Sequence, residues 1–327
     1  MDGDLVSAPA APTAGGGRAA DDARAQDDAR IADAARTIER LVHLDATHGA
    51  RAAVPAAREA VRRHPELSAG PDRLRGHSGD RIAVLAELSE VIGWILFDAG
   101  LHRHAHRANA RALALAGLCG DRWTARLVRL NHSMLQTHTG HARAALETVS
   151  RVAGARPLPA RVSSLVLIRQ AHATALLGAH REPLELISRA QSRFLDGVSR
   201  HDPHWAWWID QAELTGHQGW VLARLRQWDR ALPLLHRAAT APGPSYRHLF
   251  AAELLGALAR AGAWREAEDL ITDLAPRAAR IGSARTAGSL GGTVRLLRRA
   301  PRVPAGLRDA AVFLQEHLPG PEPARTP

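Results

Sequence analysis

Apolar residues recur along most of this chain three and four positions apart, the spacing that puts them on one face of an α-helix. Ile31, Ala34, Ala35, Ile38, Leu41 and Val42 form the first stripe, and Ala52 to Arg63 carries a second. Before them, residues 1–28 hold almost no large apolar side chain and include Gly15, Gly16 and Gly17. Such a segment cannot repay the entropy of ordering and is expected to be an unordered tail. Residues 29–80 then read as a helical pair followed by a linker, the turn-rich stretch from Pro65 to Asp80.

From residue 81 to 275 the pattern repeats. Helical stretches come in pairs, each pair joined at a turn residue: Gly100, Gly140, Gly178, Arg226 and Gly262, which stand 36 to 48 residues apart. Seven positions before these turns lie Gly93, Ser133, Ala171, Gly219 and Leu255, and five positions after them Ala105, Ala145, Pro183, Ala231 and Ala267. Small residues at both places suit two helices whose backbones approach closely. Period and signature predict an all-α chain built as a tetratricopeptide-like α-solenoid of about five helix hairpins. Residues 276–318 read as capping helices that cover the last apolar face, and 319–327 as a second unordered tail. The stretch from Asp202 to Thr240 is one of the repeats; its first helix is expected to open at Asp202-Pro203 and to carry Trp205, Trp207, Trp208 and Trp220.

Composition agrees with helix: the 327 residues are 46% hydrophobic and rich in Ala and Leu. There is no apolar run long enough for a membrane span and no secretory leader pattern, so a cytoplasmic setting without a membrane partner is expected. The net charge of +10 invites a nucleic-acid reading, but all 43 basic residues are Arg and they are spread along the chain. A phosphate-binding surface gathers its cations, so DNA is expected only indirectly or weakly.

Catalytic chemistry is not visible. The chain has no GxSxG, HExxH or Walker-type motif, the last being unattainable without Lys. His102 and His106 share a helical face, but no third ligand accompanies them, and His104 points away; no metal, cofactor or catalytic residue is assigned. Cys119, the single cysteine, reads as a small buried residue.

The first helices of tetratricopeptide-like pairs line a concave groove. The turn positions assign to that groove Glu87, Glu90, Trp94, Phe97 and Asp98, then Leu130, Met134 and His138, then Ile168 and His172, then Glu213, Trp220 and Arg224, and finally Arg260. Aromatic pockets, carboxylates for cations and Arg224 for a carboxylate would suit a peptide or protein segment. Dimerisation is left open by the exposed helix faces.

The stretches LAELSEVIGWILFDAG, WAWWIDQAELTGHQGWVLARL and GSARTAG resemble the tetratricopeptide-type regulatory domain of actinobacterial helix-turn-helix transcriptional regulators. The likeness runs from about Ile31 to Leu318, and the plan is also similar to that of Gram-positive peptide-responsive regulators. It implies a non-enzymatic scaffold in transcriptional or developmental regulation. Members of that family carry an amino-terminal helix-turn-helix, and no such segment precedes Ile31. Either the gene start lies upstream or the protein acts through a partner. The alternatives are a DNA-binding regulator, through surface arginines or an upstream helix-turn-helix, and an all-α enzyme of unrecognised type.

Overall fold

The computed structural model describes residues 15–74, 76–154 and 157–320. Among them it contains fourteen α-helices and no strand. α1 (Gly15–His48) and α2 (Ala50–Arg63) lead into five pairs: α3 (Gly79–Asp98) with α4 (His102–Cys119), α5 (Arg122–His138) with α6 (Ala142–Ser150), α7 (Ala160–Leu176) with α8 (Glu182–Leu195), α9 (Gln211–Arg224) with α10 (Trp228–Thr240), and α11 (His248–Ala261) with α12 (Trp264–Leu274). α13 (Ala284–Arg299) and α14 (Ala305–His317) follow. Within each pair the helices pack together, and the first helices also touch in succession, α3 on α5, α5 on α7, α7 on α9, α9 on α11 and α11 on α13.

The five pair-closing turns use one backbone solution. Gly100, Gly140, Gly178 and Gly262 have φ of 84, 85, 84 and 77°, and Arg226 has 59°. In each, the amide that follows the turn residue donates to the carbonyl five residues back: Leu101 to Leu96 (2.8 Å), His141 to Gln136 (2.7 Å), Ala179 to Thr174 (3.1 Å), Gln227 to Leu222 (3.0 Å) and Ala263 to Leu258 (3.1 Å). This is the left-handed helix cap that glycine adopts without a steric penalty.

Packing inside the pairs follows the small-residue signature. A Cβ on Gly219 would lie 2.9 Å from the Leu235 backbone nitrogen, so no larger residue fits between α9 and α10. Ser133 Oγ donates to the Ala145 carbonyl at 3.0 Å, tying α5 to α6 with its only polar atom. Ala105, Ala145, Ala231 and Ala267 are fully buried. Leu255, the large exception, fills the C-terminal core with Leu290 and Val294.

Three expectations change. The segment from Gly15 to Asp28 is the start of α1 rather than a tail; residues 1–14 and 321–327 lie outside the described residues. Its Ala-rich sequence has no breaker after Gly17, so extending a packed helix backward needs no new nucleus, and Asp27 is held by Ser78 and by Arg81, the latter at 3.2 Å. The lengthened helix expected from Asp202 is broken. His204–Trp208 is a short 3-10 turn, and α9 starts after Asp210, whose side chain accepts from the Glu213 amide at 2.9 Å. Asp202 instead closes a turn on the Ser199 amide at 3.0 Å. Of the four tryptophans placed on one helix, only Trp220 lies on α9.

The third change concerns the far end. The capping segment does more than cover an apolar face, because it returns to the first repeat. The Arg51 amide donates to the Gly282 carbonyl at 2.8 Å, and a Cβ on Gly49 would lie 2.6 Å from Gly282 Cα. Ser245 Oγ donates to the Asp45 carbonyl at 2.6 Å. Ser283 Oγ and Arg285 Nε both donate to Asp98 Oδ1, at 2.9 and 2.6 Å. These contacts bring α1–α3 and α11–α13 together.

Candidate functional site

Closure turns the expected groove into a cavity of about 300 Å³, at the lower end of small-molecule sites. Its walls come from α1 (Ile38, Asp45), α3 (Glu87, Glu90, Trp94), α5 (Asn131, Met134), α7 (Arg169), the 204–208 turn (Trp205, Trp208), α9 (Glu213, His217), Tyr246, α11 (Phe250) and α13 (Arg285). Val42 and Trp207 also line it and are exposed, so they mark its rim. At that rim His204 Nε2 meets Glu87 Oε1 at 2.8 Å, joining the 3-10 turn to α3.

Polar groups inside are buried and incompletely satisfied. Trp94 Nε1 donates to Asp45 Oδ2 at 3.0 Å, while Asp45 Oδ1 has no partner. Asn131 Nδ2 donates to Glu90 Oε1 at 2.7 Å. Burial pushes both acids up to about 7; the charge of Asp98 adds to the effect at Asp45, and that of Glu87 at Glu90. Glu90 and Trp94 stand one helical turn apart, on the same face of α3. Asp45, Trp94 and Glu90 thus form a continuous acid–indole–acid wall.

A second polar run lies on α7 and α9. His217 Nε2 is 3.1 Å from Glu213 Oε1, and His217 Nδ1 is 2.9 Å from His172 Nε2. Burial lowers both imidazoles, His172 well below its ordinary value, while the Glu213 carboxyl acts against the shift at His217. One proton arrangement satisfies this chain: His172 Nε2–H donates to His217 Nδ1, and His217 Nε2–H donates to Glu213. His217 Nε2 then has no lone pair for Arg169 Nη1, 3.4 Å away. Arg169 Nε and Glu213 Oε2 are both left without a hydrogen-bond partner. Burial brings Arg169 down to about 10, with the Glu213 charge acting against that shift.

Not all residues assigned to the groove face this cavity. Glu87, Glu90, Trp94, Met134 and Glu213 line it. His138, His172, Trp220 and Arg224 surround a second void of about 20 Å³, which Met134 and Arg169 also border. In that void His138 is brought down to about 4, chiefly by burial, and Arg224 lies over the Trp220 ring at 5.0 Å. Leu130, Ile168 and Phe97 are core residues; Phe97 packs behind Trp94 at a ring distance of 5.9 Å. Asp98 borders neither void; its Oδ1 accepts from Arg285 and Ser283, and its Oδ2 has no partner among the described residues. Arg260 is exposed and bonded to the Gly256 carbonyl at 2.7 Å, lining neither void. His102 packs against Phe97 and His138, and His106 Nδ1 meets His132 Nε2 at 3.0 Å.

Asp45, Asn131, Arg169, His217, Tyr246 and Arg285 were not foreseen. Arg169 did leave a signal, a lone cation inside the apolar run SSLVLIRQAHA. Arg285 left none, because only the return of α13 to α3 brings it here. No protein-family model matches the chain, and no curated protein matches it significantly.

Proposed function

We propose that the chain is a non-enzymatic regulatory scaffold: a tetratricopeptide-like α-solenoid, bent until its ends meet, that takes up a peptide or protein segment on its concave side. Its setting would be transcriptional or developmental regulation in the cytoplasm. The observation that carries this reading is the convergence of side chains from every first helix, α3 to α13, on one cavity whose buried polar atoms lack partners. Buried polar groups are costly to leave unpaired, so a ligand that supplied the missing partners would gain both polar and apolar contacts. The five equivalent turns support the solenoid part of the reading. A cavity of about 300 Å³ accommodates a side chain or a chain end, so the segment would enter end-on past Val42 and Trp207.

A second reading, an all-α enzyme, draws support from Asp45 and Glu90, two carboxyls brought to about 7, where acid–base groups work best. The scaffold reading is preferred because the enzyme reading rests on these two carboxyls alone, whereas the scaffold reading also draws on the five equivalent turns and the lining drawn from every first helix.

Titration with a pool of short peptides, followed by tryptophan fluorescence, tests the scaffold reading, since Trp94, Trp205, Trp207 and Trp208 all line the cavity. Binding should weaken in Trp94→Ala and in Trp205→Ala. A ligand whose affinity is unchanged by both substitutions binds elsewhere, and the site assignment falls.

A further inference from the structure

Resting on the cavity as the binding site, we propose that it receives a protonated amine carried on an apolar group, with Asp45 and Glu90 as the counter-charges and the surrounding aromatic rings as the walls for the apolar part.

Charge balance leads to this ligand class. Arg285 is neutralised by Asp98, both deeply buried. Glu87 is engaged by His204 at the rim. Arg169 and Glu213 stand on either side of His217 Nε2, at 3.4 and 3.1 Å, and offset each other. Glu39, Asp45 and Glu90 remain, and none makes an ion pair among the described residues; Glu39 is exposed to solvent, whereas Asp45 and Glu90 are buried. Both have small residual exposure, 6% and 4%, and Asp45 Oδ1 has no hydrogen-bond partner. An anionic ligand would meet these carboxylates as like charges; a neutral one would leave Asp45 Oδ1 as it is. An ammonium supplies three donors and one positive charge to two carboxyls that hold one donor each, from Trp94 and Asn131, and no cation.

The apolar component follows from the rest of the lining. Trp94, Trp205, Trp208, Tyr246, Leu249 and Phe250 face the same space. Aromatic rings flanking carboxylates are the surroundings in which alkylammonium groups bind best, through ring faces and counter-charges together. Arg169 repels a cation, so the ammonium is directed to Asp45 and Glu90 and away from Glu213.

Such an amine has two sources, the amino terminus of a bound segment or a free arylalkylamine. Phenylbutylamine and phenylbutanol represent the second, and phenylalaninamide and N-acetyl-phenylalaninamide the first. In each pair the apolar body is shared and the cation is replaced by a neutral group, a hydroxyl in the first and an acetamide in the second. Calorimetric titration of the full chain should show each amine binding at least about ten-fold tighter than its neutral partner, the size of one well-made charge contact. Preference for phenylbutylamine over phenylalaninamide would identify a free amine as the natural class, and the reverse preference an amino terminus; either supports the proposal. Equal binding of charged and neutral partners, tighter binding of phenylbutyrate than of phenylbutylamine, or no binding of either amine overturns it. If the amines fail while peptides still bind in a Trp94-dependent way, the cavity stands as the binding site and only the ligand class falls.

Two further readouts do not depend on a single variant. Asp45→Asn and Glu90→Gln keep the side-chain shape and the acceptors for Trp94 and Asn131, and each should weaken amine binding about ten-fold while leaving the neutral partners unaffected. In the unmodified chain, binding of phenylbutylamine, whose alkylammonium keeps its proton across this range, should tighten as pH rises through about 7, where both acids ionise. The groups facing Asp45 are Asp98, Arg285 and Trp94, and those facing Glu90 are Asn131 and Glu87. Amine affinity that is flat from below to above that pH, with both variants behaving like the parent, overturns the assignment of the counter-charges.

Discussion

Arg285 Nε, in the first turn of α13, lies 2.6 Å from Asp98 Oδ1, the last residue of α3, and both side chains are almost fully buried. The pair joins segments 187 residues apart in sequence and holds the guanidinium over the rings of Trp94 and Phe97, at 5.1 and 4.9 Å. Removing one partner leaves a buried, uncompensated charge, which costs about 3–5 kcal/mol. Asp98→Asn and Arg285→Met are each expected to lower the unfolding free energy measured by denaturant titration by that order. The double variant should recover part of the loss, because it leaves no lone charge behind. A double variant as unstable as the sum of the two singles would mean that the side chains are not coupled.

Ring closure itself is open to test at Gly282. A Cβ there would lie 2.1 Å from the His48 carbonyl oxygen and 2.7 Å from Gly49 Cα. Gly282→Val must therefore push α13 away from α1. Overpacking of this kind costs about 1–3 kcal/mol, and the radius of gyration from solution scattering should rise as the two ends separate. An unchanged scattering curve with unchanged stability would show that the two ends do not meet in solution.

Arg226 holds φ of 59° at a position where the four equivalent turns have glycine. A side chain in that region costs roughly 1–2 kcal/mol, against about 0.5–1 kcal/mol for the extra chain entropy of glycine. Arg226 is also exposed, so its side chain adds little packing. Arg226→Gly is expected to raise stability by roughly 0.5–1 kcal/mol, and Gly178→Ala to lower it by a similar amount. Thermal unfolding of the two variants decides the matter; a destabilised Arg226→Gly would show that the arginine makes a contact that outweighs its backbone.

That same turn shows how far the sequence can be read. The five turn residues and the small positions around them were legible because each answers a local requirement, a left-handed cap or a close helix approach. Glu90, Trp94 and Glu213, which line the cavity, followed from the same register, since counting from a turn fixes which residues share one face of a first helix. Asp98 sits on that face too, but what claims it is Arg285, across a contact that no local pattern encodes. The break at Asp210 was missed for a related reason. Asp202-Pro203 is a good helix start taken alone, and only the burial of Trp205 and Ile209 in the core beneath α5 and α7 favours a second start eight residues later. Arg260 lines neither void because it stands in the last turn of α11, whereas the residues of that helix that face the cavity, Leu249 and Phe250, stand in its first turn.

The titration of Glu90 gives a prediction with a definite sign. In the folded chain burial brings this acid from an ordinary 4.5 to about 7. Between those values the folded protein holds a proton that the unfolded chain has released. Stability therefore falls as pH rises across that window, and is flat above it. Asp45 acts in the same direction. His138 acts in the opposite one, because it is brought down from 6.5 to about 4 and so adds stability as pH rises between those values. The overall curve mixes these slopes, but Glu90→Gln leaves the other groups in place. The stability of Glu90→Gln minus that of the parent should be smallest near pH 4.5 and grow to its plateau above about 7, reaching on the order of 3 kcal/mol. Urea denaturation at a series of pH values measures it directly. A difference that shrinks as pH rises would mean that Glu90 is ionised and paired in the folded state, by a cation that is not among its neighbours in the cavity wall.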